Sequence, residues 1–140
     1  MLTSNIALWY IYFVKNCSHT KPLPKDKFVV VTCLGESPMG FLINSYINDY
    51  ILNRPYLSVC QAAIDAKDHL CLSHNSYIDC RQIFPFDVTE LNDRKSPISS
   101  GAKRRIVQAV YLCKVLEKKY KNIILNNEKE ILDSIIDSQK

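Results

Sequence analysis

Residues 76–87, with the sequence SYIDCRQIFPFD, combine alternating apolar side chains with an acid and an arginine. Side chains alternate between the two faces of a β-strand, so this stretch predicts a strand with one apolar and one polar face. The apolar face carries Ile78, Cys80, Phe84 and Phe86, and the polar face carries Tyr77, Asp79 and Arg81. An acid and a guanidinium on one strand face can hold a phosphate and move a proton. The alternative is a solvent-exposed ion pair on a half-buried strand, and the spacing alone leaves both open.

The composition predicts a single globular domain. The chain has 140 residues, of which 47% are apolar and 23% are charged, and this is enough to build a substantial core. A net charge of +4 at pH 7 is a mild basic excess. Such an excess suits an RNA partner, but it is also common in proteins that bind no nucleic acid. Charge alone therefore does not select a partner.

The six cysteines are scattered through apolar runs without a CxxC pair. They are Cys17, Cys33, Cys60, Cys71, Cys80 and Cys113. This pattern predicts unpaired core residues in a reducing compartment, with a disulfide framework as the alternative. The three histidines add no zinc-binding spacing, so neither a metal nor another cofactor is expected.

The apolar run at residues 6–14, IALWYIYFV, is too short to span a bilayer. Residues 1–5 carry no positive side chain, and no small-residue cleavage site precedes Lys15. The sequence therefore predicts a cytoplasmic protein with no membrane segment.

Short strands are predicted over most of the chain up to residue 87. They cover residues 6–14, 27–34, 39–45, 56–64, 69–72 and 76–87. The near-continuous apolar run KFVVVTCL at residues 27–34 is typical of a central strand that is buried on both faces. Pro22 and Pro24 keep the basic loop at residues 17–26 extended, and residues 46–55 are expected to form a loop with at most one helical turn.

Beyond residue 87 the apolar period changes to that of a helix. Ser99 and Ser100 are start signals for an amphipathic helix over residues 98–122. A second amphipathic segment at residues 127–138 either docks on its own domain or is presented to a partner. The fold class expected is α+β, mainly β: a small, strongly bent SH3-like barrel with one or two C-terminal helices. Residues 1–125 would form the barrel with its helix, and residues 126–140 a helical extension.

This order of features resembles the PemK/MazF family of ribonuclease toxins. The family opens with an apolar strand, a basic proline-containing loop and a VVV-type strand, and here LWYIYFV, SHTKPLPKDK and FVVV follow one another. A family strand close to VVRCDQPRTID corresponds to YIDCRQIFPFD, and a spacer and one amphipathic helix follow it. The resemblance covers about residues 6–122 and implies a barrel of this type.

The chain departs from the family pattern at the strand that carries the chemistry. The family has arginine, cysteine, acid and glutamine in order, whereas this chain has Asp79, Cys80, Arg81 and Gln82. Acid and base are thus exchanged, but both remain on one strand face. The middle of the chain, from residue 39 onward, is also longer than expected for the family.

Three further positions follow from the resemblance. A functional histidine of the family's first loop falls on His19, and an arginine before the VVV strand is replaced by Lys25 or Lys27. Lysine keeps the charge but loses the bidentate fork for phosphate. Asp65 stands where other members carry a threonine, and it cannot do the same job.

The first functional hypothesis is a metal-independent endoribonuclease that cleaves single-stranded RNA as the toxin of a toxin–antitoxin system. Asp79 would be the base, His19 an acid or base, and Arg81 part of the phosphate clamp. The clamp and RNA contacts would be completed by Lys21, Lys25, Lys27 and Tyr77, with His74 and Asp65 in reserve. Tyr77 could stack a splayed base. The alternatives are a solvated loop histidine at residue 19 and an ordinary half-exposed tyrosine at residue 77.

The second hypothesis is a catalytically inactive barrel that binds RNA or a protein through the same loops. The exchanged acid and base and the missing arginine before the VVV strand favour inactivity, and the retained histidine, acid and arginine favour the enzyme. For partners, the family resemblance implies messenger RNA as substrate, a small acidic antitoxin and a homodimer.

Overall fold

One curled antiparallel sheet of six strands organises residues 6–139, the part of the chain that the computed structural model describes. In chain order the strands are β1 (Tyr10–Cys17), β2 (Lys25–Leu34), β3 (Pro38–Asn44), β4 (Gln61–Ile64), β5 (Ser76–Pro85) and β6 (Arg94–Pro97). Their order across the sheet is β4-β5-β3-β2-β1-β6. The α+β fold class with a half-barrel sheet is confirmed.

Five α-helices accompany the sheet in the described residues. They are α1 (Asp49–Leu52), α2 (Pro55–Ser58), α3 (Ser100–Leu112), α4 (Lys118–Asn127) and α5 (Lys129–Ser138). The prediction of one helix over residues 98–122 is wrong, because α3 ends at Leu112 and Cys113 adopts an extended conformation with φ −73° and ψ 123°. Apolar residues at helical spacing continue across this break, which is why the pattern suggested a single helix.

The second amphipathic segment docks on its own domain. Ile135 of α5 is buried, and Ser134 accepts a hydrogen bond from Nη1 of Arg104 on α3 at 2.9 Å. Helix α4 is continuous through residues 125 and 126, where the sequence suggested the start of an extension. Ile135 of the apolar stripe of α5 is therefore used within the chain, whereas Ile131, Leu132 and Ile136 stay half-buried.

The central strand is buried on both faces, as predicted. Val29, Val30 and Val31 of β2 are all fully buried. Val30 packs in one core with the inner face of α3, whereas Val29 and Val31 pack in a second core with β1 and the segment after β5. Strand β2 thus holds the two cores together between β1 and β3.

Two predicted strands are corrected. Pro55 begins helix α2, where its missing N–H costs nothing, so only Gln61–Ile64 of the predicted strand 56–64 is extended. The short strand expected at residues 69–72 does not form. Instead the fully buried His69 donates from Nδ1 to the carbonyl of Asp65 at 2.7 Å and accepts from the N–H of Ser99 at 3.0 Å. This histidine thus joins the β4–β5 loop to the start of α3.

The prediction that all six cysteines are unpaired is also wrong, because Cys60 and Cys113 form a disulfide. The bond connects the start of β4 to the end of α3, and both residues are fully buried. The remaining cysteines are free, namely Cys17, Cys33, Cys71 and Cys80. Burial raises the pKa of the Cys33 thiol to about 11, and it also raises the pKa of the Cys80 thiol. These two thiols are packing residues and not nucleophiles.

Reduction of the Cys60–Cys113 disulfide is expected to lower the free energy of unfolding by about 2–4 kcal/mol. The bond joins residues 53 positions apart, so breaking it restores much conformational freedom to the unfolded chain. Urea unfolding with and without reductant measures the difference. The double variant Cys60→Ala, Cys113→Ala should be insensitive to reductant, and Cys71→Ala should keep the full response. Six free thiols in denatured protein kept from air would contradict the bond.

No helix within residues 6–139 combines the length and the apolar character needed to cross a membrane.

Candidate active site

A cleft of about 590 Å³ opens between the β1–β2 loop and strand β5. Most of the predicted site residues line it: His19, Lys21, Lys25, Lys27, Asp79 and Arg81. Leu42 and Asn44 of β3, Leu57 of α2, Phe84 of β5 and Val115 form further parts of its wall. The structure therefore brings the loop histidine and the strand pair, which lie about sixty residues apart in sequence, into one cavity.

An irregularity in β5 determines which side chains reach this cleft. Leu42 of β3 pairs with Asp79, and Gly40 pairs with Phe84. Between these two pairs β5 advances by five residues, whereas β3 advances by only two. The extra residues bulge out of the ladder and reverse the alternation of faces. Phe84 was predicted on the apolar face with Ile78, but it lines the cleft instead, and Ile83 is buried in its place. The predicted two-faced strand is thus correct only up to the bulge.

Asp79 and Arg81 form a two-pronged ion pair within the cleft. Nε of Arg81 donates to Oδ1 of Asp79 at 2.9 Å, and Nη2 donates to Oδ2 at 2.8 Å. The side chain of Asp79 is 15% exposed and that of Arg81 is 33% exposed. Among residues 6–139, Nη1 of Arg81 has no hydrogen-bond partner. Asp79 therefore fixes the guanidinium while leaving donors available for an anion.

The pair is held in its charged state. Burial opposes ionisation of Asp79, but hydrogen bonds from Arg81 and Gln61 outweigh it, and the pKa of the carboxyl is lowered. The hydrogen bonds to Asp79 likewise raise the pKa of Arg81 against the effect of burial. A carboxylate with a lowered pKa and hydrogen-bonded oxygens is a weak proton acceptor. The geometry thus suits Asp79 to positioning Arg81 better than to the role of base.

His19 is held by both hydrogen bonding and aromatic contacts. Its Nε2 donates to the carbonyl of Pro85 at 2.8 Å, and its ring stacks on Phe84 at a centroid distance of 4.5 Å. Phe86 meets the same ring edge-on at 5.2 Å. Because Nε2 carries the proton in this arrangement, Nδ1 of the neutral ring has a free lone pair. His19 is therefore a fixed group that can accept a proton.

Lysines make the cleft strongly positive. Lys21, Lys25 and Lys27 share it with Arg81, and among the described lining residues Asp79 is the one carboxylate. Burial, reinforced by repulsion from Lys25, lowers the pKa of Lys27, and the charge of Asp79 partly opposes this. A lysine of lowered pKa gives up its proton more readily than an exposed lysine does, and Lys27 shares its cleft with the Arg81 guanidinium.

Three predicted residues lie outside this cleft. Tyr77 and Asp65 line a shallow depression with Arg105, whose Nη2 lies 3.5 Å from Oδ2 of Asp65. His74 lines another cleft on the far side of Lys25 and Lys27. The structure does not bring Tyr77, Asp65 or His74 to the Asp79–Arg81 pair.

Sequence reasoning missed two residues that organise the site. Gln61 lies directly opposite Asp79 in the β4–β5 register, and its Nε2 donates to Oδ1 of Asp79 at 2.8 Å. The buried Thr20 donates to the carbonyl of Leu23 at 2.7 Å and accepts from the N–H of Lys25 at 3.0 Å, which fixes the loop around His19. Both residues are visibly polar in the sequence. The sequence distances from Thr20 and Gln61 to the groups that they bind match no known motif, so their roles could not be predicted.

Within the described residues, no group of three histidine, cysteine, aspartate or glutamate side chains is arranged to hold a metal ion. The expected absence of a metal and of other cofactors stays a prediction.

Replacing Asp79 by asparagine is expected to lower the free energy of unfolding by about 1–3 kcal/mol at pH 7, because Arg81 loses its charged partner. The folded pKa of Asp79 lies below its ordinary value of 3.8, so the stabilisation is complete above that value and is lost as the pH falls through the folded pKa. Urea unfolding of both proteins between pH 7 and 2.5 should therefore give stabilities that converge at the acid end. Asp93→Asn, which removes an exposed partner of Lys95, should cost less than about 0.5 kcal/mol. A constant difference at all pH values would contradict the ion-pair explanation.

The fold is similar to that of the toxin MazF-mt6 from Mycobacterium tuberculosis. The match has a TM-score of 0.52 and 12% sequence identity, and it covers 71% of this chain and 90% of that chain. A likeness at this identity shows the fold alone. No protein-family model matches the sequence, and no curated protein does.

Proposed function

We propose that the chain is a metal-independent endoribonuclease that cleaves single-stranded RNA. The observation that carries the proposal is the meeting of His19, Arg81 and three lysines in one cleft. A proton acceptor beside a cluster of cations is what cleavage by a neighbouring 2′-hydroxyl requires. The similarity in fold to a toxin supports the same reading.

The proposed reaction begins at His19. Nδ1 takes the proton of the 2′-hydroxyl, and the oxygen attacks the adjacent phosphorus. Arg81, through Nη1, stabilises the charge that builds up on the phosphate oxygens. The 5′-oxygen of the next nucleotide leaves with a proton from Lys27, and the products are a 2′,3′-cyclic phosphate and a free 5′-hydroxyl. Asp79 acts as a positioning residue that holds Arg81 in the cleft.

As partners, we propose a small acidic antitoxin and a second copy of the chain, in the cytoplasm where messenger RNA is the substrate. The positive cleft supports an acidic partner, because a carboxylate-rich segment could occupy the positions that the phosphates take. The toxin-like fold supports both partners in general terms.

The test is cleavage of a fluorescent single-stranded RNA in the presence of EDTA. We expect fragments that end in a 2′,3′-cyclic phosphate, and no cleavage of the same oligonucleotide made with 2′-deoxyribose. Cleavage that requires a divalent metal, or that proceeds on the deoxy oligonucleotide, would refute the mechanism.

The second candidate is an inactive barrel that binds RNA or a protein. It is favoured by the engagement of Asp79 with Arg81 and Gln61, which leaves no uncommitted carboxylate among the described lining residues to act as base. Salt-dependent RNA binding without any cleavage would support this candidate over the enzyme.

A further inference from the structure

A second cleft of about 280 Å³ adjoins the active-site cleft. Lys25 and Lys27 line both cavities, which places the two side by side. The proposed mechanism makes no use of this second cleft.

The inner wall of the second cleft is apolar and aromatic. Phe13 of β1 and Phe28 of β2 are paired across the strands, and their half-buried rings lie 5.2 Å apart at a tilt of 59°. Ile43 and Leu72, both buried, complete the wall. A planar ring system that entered the cleft would find aromatic faces to stack on.

The rim of the second cleft carries hydrogen-bonding side chains. The hydroxyls of Ser45 and Ser73 are exposed and make no hydrogen bond with any described residue. His74 is also exposed, and its Nδ1 faces the carbonyl of Asn75 at 3.1 Å, which leaves Nε2 free. Such groups can read the edge of a heterocycle, as they do in single-stranded RNA recognition.

The charge of the second cleft suits a ligand that carries phosphate. Its only carboxylate among the described lining residues is Asp26, whose Oδ1 already accepts from the N–H of Asn16 at 3.0 Å. Lys25 and Lys27, which line both cavities, outweigh this one negative charge. An apolar ligand would gain nothing from these cations, whereas a base joined to a phosphate would use wall, rim and lysines together.

We propose that this second cleft is a nucleobase-binding subsite for the nucleotide next to the phosphate held in the active-site cleft. The strand would cross the two lysines, with its phosphate toward Arg81 and the adjoining base against Phe13 and Phe28. The inference rests on the proposed function, and it identifies the serines and His74 at the rim as residues that set base preference.

The test uses the whole ¹⁵N-labelled chain, titrated separately with the four nucleoside monophosphates and with inorganic phosphate. Nucleotides should shift the amide signals of Phe13 and His74, whereas inorganic phosphate should shift those around Arg81 and the two lysines and leave Phe13 and His74 unchanged. Phe13→Leu keeps the apolar volume but removes the aromatic face, so it should weaken nucleotide binding about tenfold. Tyr111→Leu, at a half-buried aromatic on α3, is the matched control and should bind as the unaltered chain does.

RNA cleavage measured in parallel separates the two ideas. If nucleotides shift the amide signals of the second cleft but the chain cleaves no RNA, the subsite would be supported and the proposed endoribonuclease activity would be refuted. Cleavage with shifts confined to the His19 and Arg81 region would overturn the subsite and keep the enzyme. Equal affinity of Phe13→Leu and the unaltered chain would also overturn the subsite.

Discussion

Replacing Arg81 by alanine is expected to slow RNA cleavage by about 10²–10³-fold, the loss typical when one donor to a developing oxyanion is removed. Its Nη1 has no hydrogen-bond partner among residues 6–139, and Asp79 holds the guanidinium in the cleft through Nε and Nη2 at 2.9 and 2.8 Å. Arg81→Lys should recover little of the rate, because an ammonium keeps the charge but loses both the fork and the bond geometry to Asp79. Single-turnover cleavage of a fluorescent RNA measures the rates.

A matched arginine–aspartate pair on the same protein provides the control. Arg105 pairs with Asp65 outside the cleft that holds His19 and Arg81, with 3.5 Å between Nη2 and Oδ2. Arg105→Ala should therefore cleave at close to the original rate. If Arg81→Ala and Arg105→Ala lost activity equally, the loss would reflect folding or overall charge, and the clamp would be refuted.

Replacing His19 by glutamine is expected to lower the cleavage rate by about 10²–10⁴-fold, the usual contribution of a general base. Glutamine can still donate a hydrogen bond to the carbonyl of Pro85, which His19 contacts at 2.8 Å, but it cannot take the proton of a hydroxyl. RNA affinity should change by less than about threefold, because His19 adds no permanent charge to the phosphate clamp. The measurements are single-turnover cleavage and fluorescence anisotropy with a 2′-deoxy oligonucleotide.

A loss of cleavage rate without a loss of RNA affinity would indicate that His19 transfers a proton and does not merely pack in the cleft. His19→Ala removes the stacking on Phe84 as well, so it should lose both rate and some order in the loop. A glutamine variant that cleaves as fast as the unaltered chain would assign the base to another group, and the proposed role of His19 would be given up.

Local sequence patterns were sufficient for much of the fold. The apolar run around Val30 predicted a strand buried on both faces, because such a run has no polar side to present to water. Ser99 marked the start of α3, and its Oγ does accept from the N–H of Ala102 at 3.1 Å. The pairing of Asp79 with Arg81 also follows from positions two apart on one strand face. In each case the interacting groups are neighbours in sequence.

The assembly of the site was decided by tertiary structure. His19 meets the carbonyl of Pro85 across 66 residues, and Gln61 meets Asp79 across 18 residues. The bulge in β5 turns Phe84 toward His19, and it depends on pairing with β3 that no spacing within β5 expresses. The sequence by itself thus determined the buried central strand, the start of α3 and the charged pair on β5, since those features arise from local alternation and capping. Only the cross-strand register and the long-range contacts placed a fixed histidine, an oriented guanidinium and three lysines around one cavity.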